Sequence, residues 1–598
     1  MPKLDDNSFS SFDVGLLQES AERVNQPAAA DLPPFYYLDN FDALTASIKA
    51  RYSDLLTADE RRLLDQLTGL EQQQRALFVR MHGRKGSVFR LDKLVYAELV
   101  DIPQLAEQLD ASGMIELREP VSEELQHWLP LFSKPEILQW LMQKSIELPK
   151  GIRQWKRAQL DEWLLTNLVN CADLVGPDES LLYLQPDVEA LLALCQLLYF
   201  GNSRQSLTDF VLRDLGVYRY PEVPLDGAAK AFVSRHQLDQ HVRYYDVLPE
   251  DSELLKSMSA GQLIDLAAAY PYDEADSVLC RRVERQWLRI ARQLERLGDL
   301  DAALEWYRKV DRAPSAERQI RILAKTDPVA AMQLAHQSWL DPADEEESRF
   351  LESFIPRLNK QLAGKNTDLP TWFEPLPVWH ESKSLLTSEA LAMLNIGHSI
   401  EFVALQTLLQ QRGGQGFYVE NALVSSVFGL LFWDVIYAPV AGAFYHPFQL
   451  RPDDLYEDSF LDHRPQPYQQ TLAIFESGQW QQRCLDNFQR YKGTANPFVY
   501  WGFIEAAVEN GCLTLAFERI SDAHWQAIFE RMFGDLKRRK TGLPDLIWFD
   551  DSDGFELIEI KGPGDTLQGN QKSWLGFFEQ QGIPAKVWYL TRPTGEDA

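Results

Sequence analysis

The spacing of hydrophobic residues predicts α-helices over most of the first two thirds of the chain. Apolar residues recur every three or four positions across 36–128 and 180–365, which is the pattern of helices with one buried face. Thr57 followed by Glu60 forms a capping-box pattern, which marks a helix start. The stretch 86–96 (GSVFRLDKLVY) favours either a short strand or a turn into a helix. We therefore expect residues 180–365 to be helical throughout and the preceding region to be mostly helical.

Three stretches interrupt this pattern. Residues 1–33 are polar and end at a Pro-Pro pair, which predicts a loose tail. Residues 364–379 are rich in Pro and Gly, which predicts a linker into a last domain. The most apolar stretch, 422–447, also carries Asp434, Gly and Pro. It is too interrupted to cross a bilayer, so we expect a buried helix and turn.

Two helical stretches resemble known modules. Residues 131–165 have the pattern helix, extended link, helix, with basic residues at the start of the second helix. This is similar to a SAP module, a small DNA-binding unit, and an ordinary helical hairpin fits equally well. Residues 294–314 resemble half of a tetratricopeptide repeat, in which Gly298 follows a helix end and Pro314 breaks the helix. Residues 318–339 offer a second helix pair, and together these stretches predict a helical platform.

The pattern changes to strands near the C-terminus. Two apolar runs, 546–549 (LIWF) and 555–561 (FELIEIK), are separated by the turn-rich DDSDG, which predicts a β-hairpin. Alternation places Glu559 and Lys561 on the same face of the second strand. Asp545 stands immediately before the first strand. The sequence therefore predicts two acids and a lysine close together beside otherwise apolar strands.

Such a trio suits one kind of chemistry. Two neighbouring carboxylates repel each other unless a divalent cation lies between them, and hard oxygen ligands favour Mg²⁺ or Mn²⁺. Such an ion binds a phosphate oxygen and lowers the pKa of a bound water, while a nearby lysine offsets developing negative charge. Phosphodiester hydrolysis needs these functions. From residue types alone, a buried Glu–Lys ion pair next to an ordinary Pro-Asp turn remains an equal alternative.

Composition places this chemistry in a large acidic protein. The chain has 598 residues, enough for three or four domains of about 150 residues each. Apolar residues make up 45% and charged residues 25%, which is typical of soluble globular proteins. The five cysteines form no C-x-x-C pair, which argues against a zinc finger and a disulfide framework. The first residues lack the pattern of a signal peptide, so we expect a cytoplasmic protein and no membrane association.

The net charge of −29 argues against nonspecific nucleic-acid binding by the whole surface, but local basic clusters interrupt it. They occur at 80–93, 150–157, 281–292 and 536–540. Solvated helix faces explain about half of such clusters, and phosphate binding is the alternative. The candidate DNA-binding residues are Arg80, Arg84, Lys85, Arg90, Lys150, Arg153, Lys156, Arg157, Arg282, Arg285 and Arg289.

Longer motifs add a family resemblance. LPDLIWF followed by ELIEIKGPGD matches the PD-(D/E)-x-K nuclease pattern, and its flanks, including NQKSWL, resemble the virus-type replication-repair nuclease (VRR-NUC) domain. Upstream, residues 416–455 resemble the corresponding segment of the Fanconi-associated nuclease family. The resemblance covers most of the chain. It implies a multidomain protein whose first two thirds are mostly α-helical, with a SAP-like module and TPR-like repeats, followed by an α/β restriction-endonuclease-like domain.

The resemblance also assigns site residues and domain limits. Carried over position by position, it implies metal binding by Glu420, Asp545, Glu559 and the backbone carbonyl of Ile560, with Lys561 as the catalytic lysine and Gln571 as a supporting residue that acts with Asp545 and Glu559. The expected domains are a tail at 1–33, a helical DNA-binding domain at 34–130, a SAP-like module at 131–175, a TPR-like domain at 176–365 and the nuclease at 370–598.

The function implied by the resemblance is structure-selective DNA cleavage with Mg²⁺ or Mn²⁺. Family members cut 5′ flaps and branched DNA, degrade DNA from 5′ to 3′ in short steps, and so release interstrand crosslinks. The chain lacks the Cys/His cluster of the ubiquitin-binding zinc finger found in animal members and resembles the bacterial form, which implies association with the nucleoid. Two alternatives remain open: a non-catalytic scaffold for branched DNA, and a related nuclease acting on other DNA or RNA ends.

Overall fold

The structure is a computed structural model, and the residues that it describes fall into two compact units. The N-terminal unit contains the described residues up to 203 together with 230–238, and the C-terminal unit contains 219–229 and the residues from 239 onward. The described residues are 33–84, 86–121, 124–144, 148–168, 177, 180–203, 219–226, 229–249, 253–364, 368–374 and 377–593. The expected N-terminal tail lies outside them, except for Pro33.

The N-terminal unit is mainly helical and contains one small antiparallel sheet, in which β3 lies between β1 and β2. Its elements in chain order are α1 (Tyr36–Tyr52), α2 (Ala58–Gly69), α3 (Gln72–His82), β1 (Val88–Arg90), α4 (Ile102–Ala111), β2 (Ile115–Arg118), α5 (Leu125–Trp128), α6 (Lys134–Gln143), α7 (Arg157–Asn167), β3 (Leu181–Leu184) and α8 (Pro186–Phe200).

Strand β3 corrects the expectation that residues 180–365 are helical throughout. All four of its residues, LLYL, are buried, and they pair with strands on both sides. A short run that is apolar on both faces has no alternation, so its period cannot separate a strand from a buried helix. The capping box of Thr57 and Glu60 is confirmed at the start of α2. The stretch 86–96 forms strand β1 and then a single 3₁₀ turn, Leu91–Lys93.

Helices α6 and α7 confirm the pattern helix, link, helix in 131–165, and they share one apolar core that includes Trp140 and Leu160. The prediction that the basic residues of this stretch lie at the start of the second helix is wrong for two of them. Helix α7 begins at Arg157, with Lys156 as its N-cap. Lys150 and Arg153 lie in the preceding link, because Gly151 adopts a left-handed conformation (φ +80°) that starts a separate 3₁₀ turn.

The C-terminal unit begins with successive helices and continues into a domain with a five-stranded sheet. Its helices up to the linker are α9 (Arg235–Val247, whose first residues belong to the N-terminal unit), α10 (Leu254–Ser257), α11 (Ala260–Ala269), α12 (Ser277–Leu297), α13 (Leu300–Tyr307), α14 (Ser315–Thr326), α15 (Pro328–Leu340) and α16 (Glu345–Ala363).

The TPR-like prediction is confirmed in its helix pairs. Gly298 caps α12 at φ +86°, and α14 and α15 form the expected second pair. The prediction that Pro314 breaks the preceding helix is wrong, because α13 already ends at Tyr307 and Pro314 instead precedes α14 as its N-cap.

The last domain combines the sheet with helices, and its described linker residues before β4 form neither helix nor strand. The elements are β4 (His380–Leu385), α17 (Ser388–Asn395), α18 (Ile400–Arg412), β5 (Gln415–Tyr418), α19 (Ala422–Leu431), α20 (Trp433–Ile436), α21 (Pro465–Glu476), α22 (Trp480–Tyr491), α23 (Trp501–Glu509), α24 (Cys512–Arg519), α25 (Asp522–Phe533), β6 (Leu546–Phe549), β7 (Phe555–Lys561), α26 (Gly569–Gln581) and β8 (Ala585–Thr591).

The sheet has the order β4-β8-β7-β6-β5, with parallel pairs around β8 and antiparallel pairs around β6. The predicted hairpin is confirmed, since β6 and β7 pair directly. The predicted alternation is also confirmed: Leu557 packs into a core with α19 and α25, whereas Ile558 and Ile560 pack into another with α17 and α18. The buried helix and turn expected at 422–447 is present as α19 and α20. No helix among the described residues is long and apolar enough to cross a membrane.

Candidate active site

Strand pairing brings three separate segments together around Asp545. Leu546, the next residue, pairs with Ile558, which directly precedes Glu559. On the other side of Asp545, the amide of Glu420 donates a hydrogen bond of 3.0 Å to its carbonyl oxygen. The backbone therefore places Glu420, Asp545 and Glu559 side by side at one end of the β5-β6-β7 segment of the sheet.

Glu559 is the most constrained of the three acids. It is 1% exposed, and its Oε1 accepts hydrogen bonds from Lys561 Nζ at 2.7 Å and from Gln571 Nε2 at 2.6 Å. Gln571 reaches it from the first turn of α26, a helix whose Trp574 and Phe578 face the core. Both donors bind the same oxygen, which leaves Oε2 without a hydrogen-bond partner among the described residues.

Asp545 shows the same arrangement. Its Oδ2 accepts a hydrogen bond of 2.8 Å from the amide of Ile560, and Oδ1 has no described partner. Burial raises the pKa of Asp545, and the negative charges of Glu401 and Glu420 add to this effect. Burial likewise raises the pKa of Glu559, and the charge of Asp545 adds to it. The buried Glu559 and the half-buried Asp545 therefore offer one open oxygen each and an electrostatic cost that a divalent cation would remove, so they fit such an ion.

Glu420 is held differently. It lies in the turn two residues before α19, rather than at the start of a long helix, and it has a positive φ of 33°. Its Oε2 accepts a hydrogen bond of 2.5 Å from the Tyr418 hydroxyl, and its Oε1 accepts one of 3.2 Å from Asn421 Nδ2. Asn421 is itself fixed, because its Oδ1 accepts from the amide of Leu543 at 3.1 Å. Both oxygens of Glu420 are thus engaged by protein donors.

This arrangement limits how closely the acids converge. Within the described ranges, no three His, Cys, Asp or Glu side chains form a group that could hold a metal ion. The physical reason is that Tyr418 and Asn421 retain the carboxylate of Glu420, while like charges without a cation repel. The three acids therefore share one end of the sheet, with the Glu420 side chain held by Tyr418 and Asn421, and their joint binding of one ion stays a prediction.

The first basic cluster is partly structural. Arg90 is 5% exposed and forms ion pairs with Asp92 at 2.7 Å and Glu136 at 2.8 Å, so its guanidinium stabilises the fold and is not accessible to DNA. Arg80 forms an ion pair of 2.5 Å with a half-buried glutamate, Glu98. Arg84 is exposed and lies against an aromatic ring. The remaining candidate of this cluster, Lys85, lies outside the described residues.

The second cluster has the most solvent-exposed basic side chains. Lys150, Arg153 and Lys156 are exposed, and none of them forms an ion pair with a described residue. Arg157 differs: it pairs with Asp161 at 2.6 Å and donates to the carbonyls of Leu129 and Phe132, so it ties α7 to the segment that precedes α6. This link between the two helices is therefore the best-exposed basic surface of the four.

The other two clusters are largely paired. Arg282 donates to His241 Nδ1 at 3.1 Å, Arg285 pairs with Glu457 at 3.0 Å, and Arg289 donates to Gln286. In 536–540, Arg538 pairs with Asp344 at 2.7 Å and Arg539 with Glu345 at 3.1 Å. These last pairs connect the start of α16 to the nuclease domain within the C-terminal unit.

Sequence reasoning missed Tyr418 and Asn421, the two residues that hold Glu420. A signal was present for Tyr418, because residues two apart in an extended segment point to the same side. Glu401 was missed as well; its charge reaches Asp545 from α18, and no local pattern relates the two positions.

Comparison with known proteins matches two family models to this chain. The chain matches the family model FAN1, HTH domain, over residues 35–116 and the VRR-NUC domain over residues 476–590. A Fanconi-associated nuclease 1 homolog of Pseudomonas aeruginosa is 32% identical over 583 residues, which cover 95% of this chain and 97% of that protein. The chain belongs to the Fanconi-associated nuclease family.

Other family members extend the comparison. A Fanconi-associated nuclease 1 homolog of Arabidopsis thaliana is 24% identical, covering 92% of this chain and 66% of that protein. A crystal structure of paFAN1 bound to DNA with a two-nucleotide 5′ flap and a gap is 30% identical, with a TM-score of 0.74, and covers 94% of this chain and 100% of that chain. This Fanconi-associated nuclease is therefore a structure-specific DNA nuclease, with a helical N-terminal region and a C-terminal nuclease domain that uses a divalent metal.

Proposed function

We propose that this nuclease cuts 5′ flaps and branched DNA endonucleolytically, degrades DNA from 5′ to 3′, and uses Mg²⁺ or Mn²⁺. The substrate class is supported by the likeness to paFAN1, whose structures contain DNA with one- and two-nucleotide 5′ flaps. The observation that carries the proposal is the bonding of Glu559 Oε1 by both Lys561 and Gln571, which leaves its other oxygen open beside Asp545.

Each residue then has a role in holding or assisting the ion. Asp545 and Glu559 would bind it through their open oxygens, with the carbonyl of Ile560 as a further contact and Glu420 as a ligand once its carboxylate leaves Tyr418. A bound divalent ion would polarise a phosphate oxygen and lower the pKa of an attacking water. Lys561 orients that water and offsets charge on the phosphate, and Gln571 keeps Glu559 in place.

The helical regions would hold the rest of the DNA. We assign phosphate contacts first to Lys150, Arg153 and Lys156, whose charges are exposed and unpaired among the described residues. The proposed domains remain 34–130 and 131–175 for DNA binding, 176–365 as the TPR-like platform and 370–598 as the nuclease. Release of interstrand crosslinks and action at the bacterial nucleoid follow from flap and 5′-to-3′ cleavage, and both are part of this proposal.

The test uses one labelled DNA molecule carrying a short 5′ flap, incubated with EDTA, Mg²⁺ or Mn²⁺. We expect metal-dependent cuts in the duplex near the junction, mapped at nucleotide resolution. A blunt duplex of the same sequence and an RNA flap serve as matched substrates. Equal cleavage of the duplex or the RNA flap would overturn the assigned substrate, and binding of the flap without any cut would favour the scaffold alternative.

A further inference from the structure

The first turns of helix α16 contact the segment of the nuclease domain that precedes β6. Asp344 and Glu345, at its N-terminus, are tied to Arg538 and Arg539 by ion pairs of 2.7 and 3.1 Å. The amide of Glu345 also donates to Asp535 at 3.3 Å. These contacts fix the start of α16 on the segment that leads into β6.

One turn later, Arg349 extends from α16 across the start of α26. Its Nε donates to the carbonyl of Glu345 at 3.1 Å, which sets the direction of the side chain. A Cβ atom added to Gly569 would lie 2.5 Å from Arg349 Nη1 and 2.8 Å from Cδ. The guanidinium therefore lies directly on the backbone of the first residue of α26, and a side chain at this position would displace it.

Arg349 forms no ion pair with any described residue. No described carboxylate lies within ion-pairing distance of its guanidinium, and its Nη atoms have no described hydrogen-bond partner. Its neighbours Arg538 and Arg539 are both paired, so they account for the docking of α16 without it. An arginine held in a defined place with its planar donor edge free is suited to bind an anion.

The position relates this cation to the reaction. Gly569 and Gln571 lie about 3 Å apart along the axis of the same helix, and their side chains leave it in different directions. Gln571 donates to Glu559, so the guanidinium lies against the first turn of the helix that also supplies this donor. We propose that Arg349 binds a backbone phosphate of the DNA that the nuclease domain holds. This inference rests on the proposed function.

The first test measures flap binding in EDTA, where no cleavage is needed, over a series of KCl concentrations. Each phosphate contact contributes about 0.7–0.9 to the slope of log K against log salt. We expect Arg349→Gln to lower this slope by about one contact and Arg349→Lys to retain it. Arg308→Gln removes an exposed charge elsewhere in the same helical region and is the matched control, expected to leave the slope unchanged.

The second test locates the phosphate. Single methylphosphonate substitutions in the flap substrate remove one phosphate charge at a time. We expect one position near the junction to weaken binding by wild type and to have no further effect on Arg349→Gln. Gly569→Ala keeps the charge but displaces the guanidinium, and we expect it to behave like Arg349→Gln and to spread the cut sites.

The same losses at every phosphate in wild type and Arg349→Gln, with an unchanged salt slope, would overturn the inference. If Gly569→Ala fails to fold, the two Arg349 variants decide alone, because that side chain is partly exposed and carries no ion pair in the described structure. A wild-type protein that binds flaps but does not cut them would refute the proposed function and leave the salt-slope result standing.

Discussion

At the residue scale, the site depends on which oxygens of its three carboxylates accept hydrogen bonds from the protein. Glu559 receives both of its donors on one oxygen, and Asp545 receives its amide on one oxygen, which leaves the other oxygens open. Glu420 instead has both oxygens engaged, by Tyr418 and by Asn421. In the proposed site Glu420 would exchange a hydrogen bond for a metal bond, whereas the other two acids would only add one.

Gln571 provides the first test at this scale. We expect Gln571→Ala to weaken Mn²⁺ binding by roughly 10- to 100-fold, because outer contacts that orient a metal ligand typically have effects of this size. Calorimetric titration of the DNA-free protein with Mn²⁺ measures this directly. Gln580→Ala changes an exposed glutamine on the same helix and is the control. Equal Mn²⁺ affinity in wild type and Gln571→Ala would show that Glu559 does not need this donor.

Tyr418 provides a second test with the opposite sign. Tyr418→Phe removes only the hydroxyl that donates to Glu420 at 2.5 Å. Because Glu420 then has one hydrogen bond fewer to give up, we expect Mn²⁺ to bind a few-fold more tightly, or about 1 kcal/mol for one such hydrogen bond. The same titration measures it, and weaker Mn²⁺ binding by Tyr418→Phe would mean that the hydroxyl positions Glu420 for the ion instead of withholding it.

At the element scale, local signals were sufficient where an element is defined by its own residues. The hairpin of β6 and β7 and the alternation of Glu559 and Lys561 with Ile560 could be predicted, because neighbouring residues set both. Pairing between distant segments could not. Strand β4 reads HESKSL, has little apolar character, and is defined by parallel pairing with β8 some two hundred residues later, as His380 pairs with Lys586.

The basic clusters show the same limit. Arg90 was a candidate for DNA binding because its charge is visible in the sequence, while one of its partners, Glu136, lies 46 residues away. Tyr418 and Asn421 were missed for the opposite reason, since ordinary polar residues become important only once Glu420 is placed. Charge alone therefore does not separate an arginine that holds the fold from one that binds phosphate.

A stability measurement separates these two roles. We expect Arg90→Ala to lower the free energy of unfolding by about 1.5–3 kcal/mol, because hydrogen bonds from a buried charged group are lost, and to leave DNA affinity nearly unchanged. Arg84→Ala, which alters an exposed arginine of the same cluster, should have little effect on unfolding. Thermal unfolding followed by circular dichroism compares the two. If Arg90→Ala is as stable as wild type and binds DNA more weakly, Arg90 contacts DNA instead of stabilising the fold.

At the scale of the whole molecule, a chain with a net charge of −29 must bind a polyanion through limited surfaces. Most arginines of the four basic clusters are paired inside their units, and Lys150, Arg153 and Lys156 form an exposed set within a single segment. Exposed charges are screened within about 10 Å at moderate salt, so a local basic surface can function despite the acidic total.

Reversing these charges tests the surface. We expect the triple variant Lys150→Glu, Arg153→Glu and Lys156→Glu to bind flap DNA more weakly, with a salt slope reduced by about two or three contacts. Lys256→Glu together with Arg296→Glu changes exposed cations of the C-terminal unit, whereas the tested residues belong to the N-terminal unit, and serves as the control. Fluorescence anisotropy at several KCl concentrations gives both the affinity for flap DNA and its salt slope. An unchanged slope in the triple variant would place the DNA platform on another surface.

The central claim is that Asp545 serves the reaction and not the binding of DNA. The most direct measurement compares Asp545→Ala with wild type on one labelled 5′ flap, scoring cleavage with Mn²⁺ and affinity in EDTA on the same preparation, with Asp551→Ala, an exposed residue of the β6–β7 turn, as the matched control. We predict that Asp545→Ala loses cleavage and binds the flap nearly as well as wild type. Asp551→Ala should both cleave and bind the flap like wild type. Cleavage by Asp545→Ala at the wild-type rate would contradict the assignment of this site.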